Sequence, residues 1–232
     1  MAEQGKDHWH SGDYQHSASF VPKLAGKVTQ WLDLQKDDVV LDIGCGVLDA
    51  TKMQSKPELQ RATFTKDFSN AAMHWILRPA AARQPFFAAV HAALAPGGVF
   101  AFEMGGLGNV KEMAAALLVA CARRAPGGLS AVVDQHYPWF FPDEAWATAA
   151  LEGAGFRVDR VEREWRPTKA DKGGVEGWIR LFGSMILESV PEGEQREDAV
   201  REAAEALRVV CDDGDGGEMI SYVRLRALAT KV

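Results

Sequence analysis

VVLDIGCGVLDA, residues 39–50, decides the fold class. Val39, Val40 and Leu41 form the apolar run that a strand buried on both faces requires, and Asp42, Gly44 and Gly46 follow at once. In a parallel sheet such a turn falls at the carboxyl end of its strand. With few bulky side chains there, backbone N–H groups can approach a polar ligand closely. A second strand tipped by an acidic residue is expected about 20 positions further on, where it holds ribose hydroxyls. The residues after Gly46 show no such strand.

Working outward, helices and strands alternate. FVPKLAGKVTQWLD, residues 20–33, puts Val21, Leu24, Val28, Trp31 and Leu32 on one helical face. ATFTKDFSNAAMHW, residues 62–75, holds a strand near 62–69 that turns at Ser69 and Asn70. PFFAAVHAALAPGG reads as a helix closed by Pro96, Gly97 and Gly98, and VFAFEMGG as the next strand. NVKEMAAALLVACARR, residues 109–124, is a helix with Asn109 as its cap, and PDEAWATAALEGAG a further helix from Pro142 to Gly155. FRVDRVEREWRP alternates with a one-residue slip, which predicts a bulge or an edge strand. Helical stretches at 174–189 and 194–211 precede a Gly/Asp turn and a closing strand, MISYVRLRALATKV. The class is α/β with a mostly parallel sheet.

The 232 residues suffice for one such domain, and 47% hydrophobic content is ordinary for a globular core. The longest apolar stretch, Met113 to Ala122, is too short to span a bilayer. The polar start, MAEQGKDHWHSGDYQ, lacks the apolar segment of a secretory signal. Cys45, Cys121 and Cys211 are odd in number and far apart, so neither a disulfide framework nor a metal site is expected, and a reducing, cytoplasmic compartment is. The net charge is −6, with no basic stripe for nucleic acid.

VVLDIGCG, FSNAAMHWI, LAPGGVFAFEMGGLGNV, PWFFP, AGFRVDRVE and YVRLRALA, in this order, resemble the class I S-adenosylmethionine-dependent methyltransferases, specifically the trans-aconitate methyltransferase-like group. The resemblance covers most of the chain outside residues 47–67, and FSNAAMHW followed by APGGVFAFEMGG is its most specific part. It implies a Rossmann-like sheet, S-adenosylmethionine as cofactor, and methylation of a small molecule, on oxygen and perhaps on a carboxylate. It also implies that Gly44 and Gly46 meet the amino-acid and sulfonium part of the cofactor, with Asp42 accepting directly or through water. Asn70 lies beside the same crevice, and Tyr14 and Phe20 resemble the family's lid segment, or else are packing aromatics.

One stretch departs from the family. Only 21 residues separate Gly46 from Phe68, whereas a single βαβ unit takes roughly 30 or more. The sheet is therefore expected to be truncated by loss of two strand–helix units after the first strand, with extra helices before the last. Glu58 and Asp67 fall near the ribose spacing without ending an apolar strand. The loss leaves VVLDIG at a sheet edge, an invitation to pair with another chain. A partner covers it, a helix around 50–60 folds over it, or the protein self-associates. A non-catalytic methyltransferase-like protein is the alternative to an enzyme.

His74 is the histidine of the crevice region, either a general base or a structural hydrogen-bonding group; an ionised carboxylate acceptor needs no base. An acidic acceptor calls for a cation, and Arg224 and Arg166 are the candidates, since a guanidinium can hold a carboxylate with two parallel bonds. Arg224 and Arg226 share one strand face opposite Val223 and Leu225, and the periodicity predicts solvent exposure for them. Trp75, Trp139 and Trp178 are candidate walls of an acceptor pocket.

Overall fold

Three strands in chain order pair parallel, and the last strand of the chain inserts antiparallel beside them. The computed structural model describes residues 26–44, 62–171 and 173–232. The described residues divide into a sheet unit, 26–44, 62–109, 138–167 and 221–232, and a helical unit, 110–137, 168–171 and 173–220.

In chain order the described elements are α1 (Gly26–Leu32), β1 (Val40–Asp42), β2 (Phe64–Asn70), α2 (Met73–Ile76), α3 (Ala80–Ala93), β3 (Leu94–Gly105), α4 (Lys111–Ala122), α5 (Gly128–His136), α6 (Glu144–Gly153), β4 (Phe156–Lys169), α7 (Gly174–Phe182), α8 (Ser184–Leu187), α9 (Glu194–Val210) and β5 (Met219–Lys231). The sheet order is β1-β2-β3-β5-β4. β1 pairs parallel with β2 and β2 with β3, while β5 runs antiparallel to β3.

Side-chain alternation divides the sheet into two faces. Leu41, Ile43, Phe100, Phe102, Met104, Leu225, Ala227 and Ala229 share the main core with Phe86, Phe87 and Val90 of α3 and Ala147 and Leu151 of α6. Each such large side chain stabilises the fold by about 1.5–3 kcal/mol on burial. The opposite face carries Ala101 under Val28 and Leu32 of α1. Among the described residues β1 is an edge strand, with Val39 50% and Val40 41% exposed. β4 is the other edge, and its exposed Trp165 stands among alternating Arg and Glu, the charge pattern that discourages edge pairing.

One local expectation is corrected. Asn109 does not cap α4, which starts after Val110 at φ 47; the Asn109 Oδ1 instead accepts from Val223 N–H at 2.8 Å, binding the end of β3 to β5. Helix α3 ends at Ala93 with Leu94 as its C-cap, two residues ahead of Pro96, as the Pro-Gly-Gly stop leads one to expect. The Lys231 ammonium also binds that end, donating to the carbonyls of His91 and Leu94 at 2.7 Å each. Helix α6 starts one residue after Asp143, whose carboxylate accepts from Trp146 N–H at 2.9 Å as an N-cap.

In the helical unit α4 packs on α5 and α9, and α9 buries Ala199, Val200, Ala203, Ala204 and Leu207 along one stripe. Arg180 of α7 ties to α9 by two bonds to Glu197, at 3.1 and 2.8 Å. Among the described residues no helix is long and apolar enough to cross a membrane.

Candidate functional site

Asp42 ends β1 and Asn70 ends β2, so both stand at the carboxyl edge of the parallel strands, where open α/β sheets place their ligands. Ile43 N–H continues the ladder to Phe68 O at 2.8 Å, and the chain then turns at Gly44 with φ +100°. Glycine is required there twice over, because a Cβ at residue 44 would also lie 2.2 Å from the Ala72 methyl. Asn70 is in register with Glu103, and Ala71 follows at φ 56 with its N–H on Glu103 O at 2.8 Å. A left-handed non-glycine residue costs about 1–2 kcal/mol. That strain sits at the strand tip that sets the Asn70 side chain. Partial burial raises the Asp42 carboxyl above the ordinary aspartate range.

Gly46, Tyr14, Phe20 and Glu58 lie outside the described residues. Asp67, weighed for the ribose, is corrected: it faces the apolar core rather than the strand tip, in register between Leu41 and Phe100, and is fully buried. Neither of its carboxyl oxygens has a partner, and burial pushes its pKa up to about 8 against the opposing charge of Lys231. The β-strand period explains this, since Asp67 lies one residue out of phase with Asn70.

A second group gathers round Gly105 at the end of β3. His74, on the short α2, accepts the Gly105 N–H on Nδ1 at 3.3 Å, and its carbonyl accepts from Phe140 N–H at 2.9 Å. That second bond draws in the loop that carries Trp139 and Phe141. The His74 ring lies 5.4 Å from Trp75 and 5.7 Å from Phe141, Trp75 meets Trp139 edge-on at 5.8 Å, and Trp139 stacks on Phe141 at 5.8 Å. Gly105 is small because the Phe141 ring fills the place of its Cβ, at 2.4 Å. Opposite Gly105 in the antiparallel register is Arg224. Four sequence-derived candidates, His74, Trp75, Trp139 and Arg224, therefore converge. Trp178 belongs to the helical unit, where it is buried on α7 and its ring meets Phe182 at 5.4 Å.

The expected exposure of the β5 arginines is overturned: Arg224 is 5% and Arg226 1% exposed. Glu103 holds them, its Oε1 accepting from Arg224 Nε at 2.9 Å and from Arg166 Nη2 at 3.1 Å, its Oε2 from Arg226 Nε at 2.5 Å. Arg226 continues to Glu162 at 3.0 Å and to Glu164, and Lys27 of α1 reaches the same two carboxylates at 2.5 and 3.3 Å. Burial raises the Glu103 pKa, but Arg224, Arg166 and Arg226 outweigh it and hold the carboxyl below the usual range. Burial, then the charge of Arg224, drives the His74 pKa well below that of an ordinary imidazole.

Glu103 escaped the sequence reading, although one signal was present. A lone acid inside the apolar run VFAFEMGG needs a cation, and two arginines at alternate positions of YVRLRAL supply it.

The chain is 32% identical over 263 residues to the uncharacterised methyltransferase C70.08c of Schizosaccharomyces pombe, a match covering 97% of this chain and 99% of that protein. No family model matches. Among solved structures it is similar to the YcgJ protein from Bacillus subtilis, with TM-score 0.52, 13% identity and coverage of 90% of this chain and 98% of that one. It is also similar to Haemonchus contortus phosphoethanolamine N-methyltransferase 2, solved with S-adenosyl-L-methionine, with TM-score 0.50, 13% identity and coverage of 97% of this chain and 58% of that one. At such identities the structural likeness is one of fold, a Rossmann-like methyltransferase sheet.

Proposed function

This chain belongs to the methyltransferase family, and on that premise we propose that it transfers a methyl group from S-adenosylmethionine to an oxygen of a small molecule, a carboxylate by preference. The observation that carries the reading is the convergence of His74, Trp75, Trp139 and Arg224 round Gly105, at the same edge of the sheet as Asp42, Gly44 and Asn70.

The donor set suits the cofactor. Asp42 offers a carboxylate and Asn70 an amide at adjacent strand ends, and the Gly44 turn keeps the backbone bare between them. Bound there, S-adenosylmethionine supplies an electrophilic methyl on a sulfonium. The chain's own residues then have to place the acceptor oxygen in line with that methyl, and such alignment is a large share of the rate enhancement. Arg224 supplies positive charge for an anionic acceptor, while Trp75 and Trp139 exclude water and hold its apolar part. A carboxylate reaches the site already ionised, so no proton has to be removed. Tyr14 and Phe20 are proposed as the lid and Gly46 as the second glycine of the loop. The reaction belongs in a reducing, cytoplasmic compartment, in keeping with the free buried thiols of Cys121 and Cys211.

Titration of the folded protein with S-adenosylhomocysteine by calorimetry tests the reading. Micromolar binding is expected. No heat at millimolar ligand, with a folded circular dichroism spectrum, overturns it.

A second reading, a non-catalytic methyltransferase-like protein that self-associates through β1, is favoured by the exposed Val39 and Val40 at the edge of the described sheet. The match to C70.08c extends over 263 residues, more than the 232 of this chain, so that relative carries residues without a counterpart here. We place the shortfall between Gly46 and Phe68. The same titration separates the readings, and sedimentation velocity tests the self-association.

A further inference from the structure

His74 and Arg224 each spend one nitrogen on the fold and keep another. A backbone N–H is a permanent donor, so the Gly105 amide fixes a lone pair on His74 Nδ1. The neutral ring then carries its proton on Nε2. Charging the ring requires a proton on Nδ1 as well, which would face the Gly105 N–H, and Arg224 adds like charge nearby. Nε2 thus presents an N–H and no lone pair, which is the wrong polarity for a general base. Arg224 gives its Nε to Glu103, which leaves its two terminal nitrogens without a partner among the described residues. His74 and Arg224 are buried but not sealed, 7% and 5% exposed. Glu103 is the anion that packs against Arg224, and Arg166 and Arg226 surround that carboxylate on its other sides. Beside the Trp75 and Trp139 rings, His74 and Arg224 therefore each keep a donor that the fold does not consume.

We propose that His74 is an acceptor-binding donor rather than a base: its Nε2–H and the terminal nitrogens of Arg224 together hold one carboxylate of the acceptor, selecting anionic oxygen over neutral hydroxyl. This rests on the methyl-transfer reading for its biological meaning but not for its chemistry. A phenol or alcohol meets no base at His74, whereas a carboxylate meets charge and a directed hydrogen bond.

The test uses the full chain labelled with ¹⁵N-histidine and glutarate, a plain dicarboxylate, as probe. Long-range ¹H–¹⁵N spectra are expected to show His74 in the Nε2–H tautomer, unchanged across the neutral range, with the Nε2 signals moving as glutarate is added. His74→Leu is expected to weaken glutarate binding about tenfold or more, as loss of a hydrogen bond to a charged group does. His74→Gln, whose amide keeps an acceptor and a donor, is expected to stay within a few-fold of the wild type. An Nδ1–H tautomer, an ordinary imidazole titration, or glutarate signals indifferent to the wild-type ring overturns the proposal, even if His74→Leu fails to fold. S-adenosylhomocysteine titrated separately keeps the two readings apart. Glutarate binding through His74 without nucleoside binding removes the methyltransferase reading and leaves this one, and the converse result removes only this one.

Discussion

Glu103 and Arg226 stand directly opposite in the antiparallel register of β3 and β5 and form an ion pair sealed from solvent, with 2.5 Å between Oε2 and Nε. The pair is the hub of a cluster that also binds Arg224, Arg166, Glu162, Glu164 and Lys27. Removing Glu103 takes away the carboxylate of Arg224, although Glu162 and Glu164 still hold Arg226, and breaking such a buried cluster costs about 3–5 kcal/mol. Glu103→Gln is therefore expected to lower stability by that amount at neutral pH, read from urea unfolding. The pH dependence has a definite sign. The folded pKa of Glu103 lies below its unfolded value, so its contribution is complete above the ordinary glutamate range and is lost as pH falls through the folded pKa. The wild type should lose stability on that acid limb, and Glu103→Gln should lose less of it.

Asp67 works in the opposite direction. Its folded pKa is raised to about 8, so the folded protein keeps a proton that the unfolded chain gives up in the ordinary aspartate range. Stability from this group is greatest in acid, declines as pH rises toward about 8, and levels off beyond. An unpartnered polar group in an apolar core costs about 1–3 kcal/mol. Asp67→Val should recover that amount at neutral pH and flatten the slope. Asp67→Asn should flatten the slope but recover less, because the amide also lacks partners. Equal unfolding free energies for wild type and Asp67→Val across this pH window would contradict the assignment.

The strands and most helices were legible because their signals are local: the apolar run at 39–41, the strand before Asn70, the alternation of the last fourteen residues. What misled was information held by a neighbour in space. Alternation correctly put Arg224 and Arg226 on one face of β5, but only Glu103, brought alongside by pairing with β3, turns that face inward. Asn109 reads as a helix cap until Val223 offers its amide. Pro96 reads correctly as a helix stop, but no local signal shows that Lys231, far away in sequence, also binds the end of α3. The candidate site was named partly through its resemblance to a family and partly from its chemistry, an acidic acceptor calling for Arg224 or Arg166. Tertiary structure supplied its centre, Gly105.

Gly105→Ala is expected to disturb that centre. Its new methyl would lie 2.4 and 2.6 Å from Phe141 ring carbons and 2.8 Å from Asn109 Nδ2, so Phe141 has to move. Phe141 supports the stack on Trp139 and the contact with His74. Overpacking of this kind costs about 1–3 kcal/mol. The predicted signature is a changed near-ultraviolet circular dichroism of the tryptophans together with weaker glutarate binding. An unchanged tryptophan environment would argue that the aromatic cluster does not depend on Gly105.

Gly44 combines two constraints that a pair of substitutions can separate. Its φ of +100° disfavours any side chain, and the Ala72 Cβ occupies the space a side chain would need, at 2.2 Å. Gly44→Ala incurs both penalties, of which the backbone part is about 1–3 kcal/mol. Adding Ala72→Gly removes the collision and leaves the strain. The double variant should therefore recover part of the lost stability, a non-additivity that residues in contact show and distant ones do not. If the turn also holds the amino-acid part of the cofactor, S-adenosylhomocysteine affinity should fall in Gly44→Ala and return only in part with Ala72→Gly, following the turn's conformation. Full additivity of the two changes would show that Gly44 and Ala72 do not meet as the fold requires.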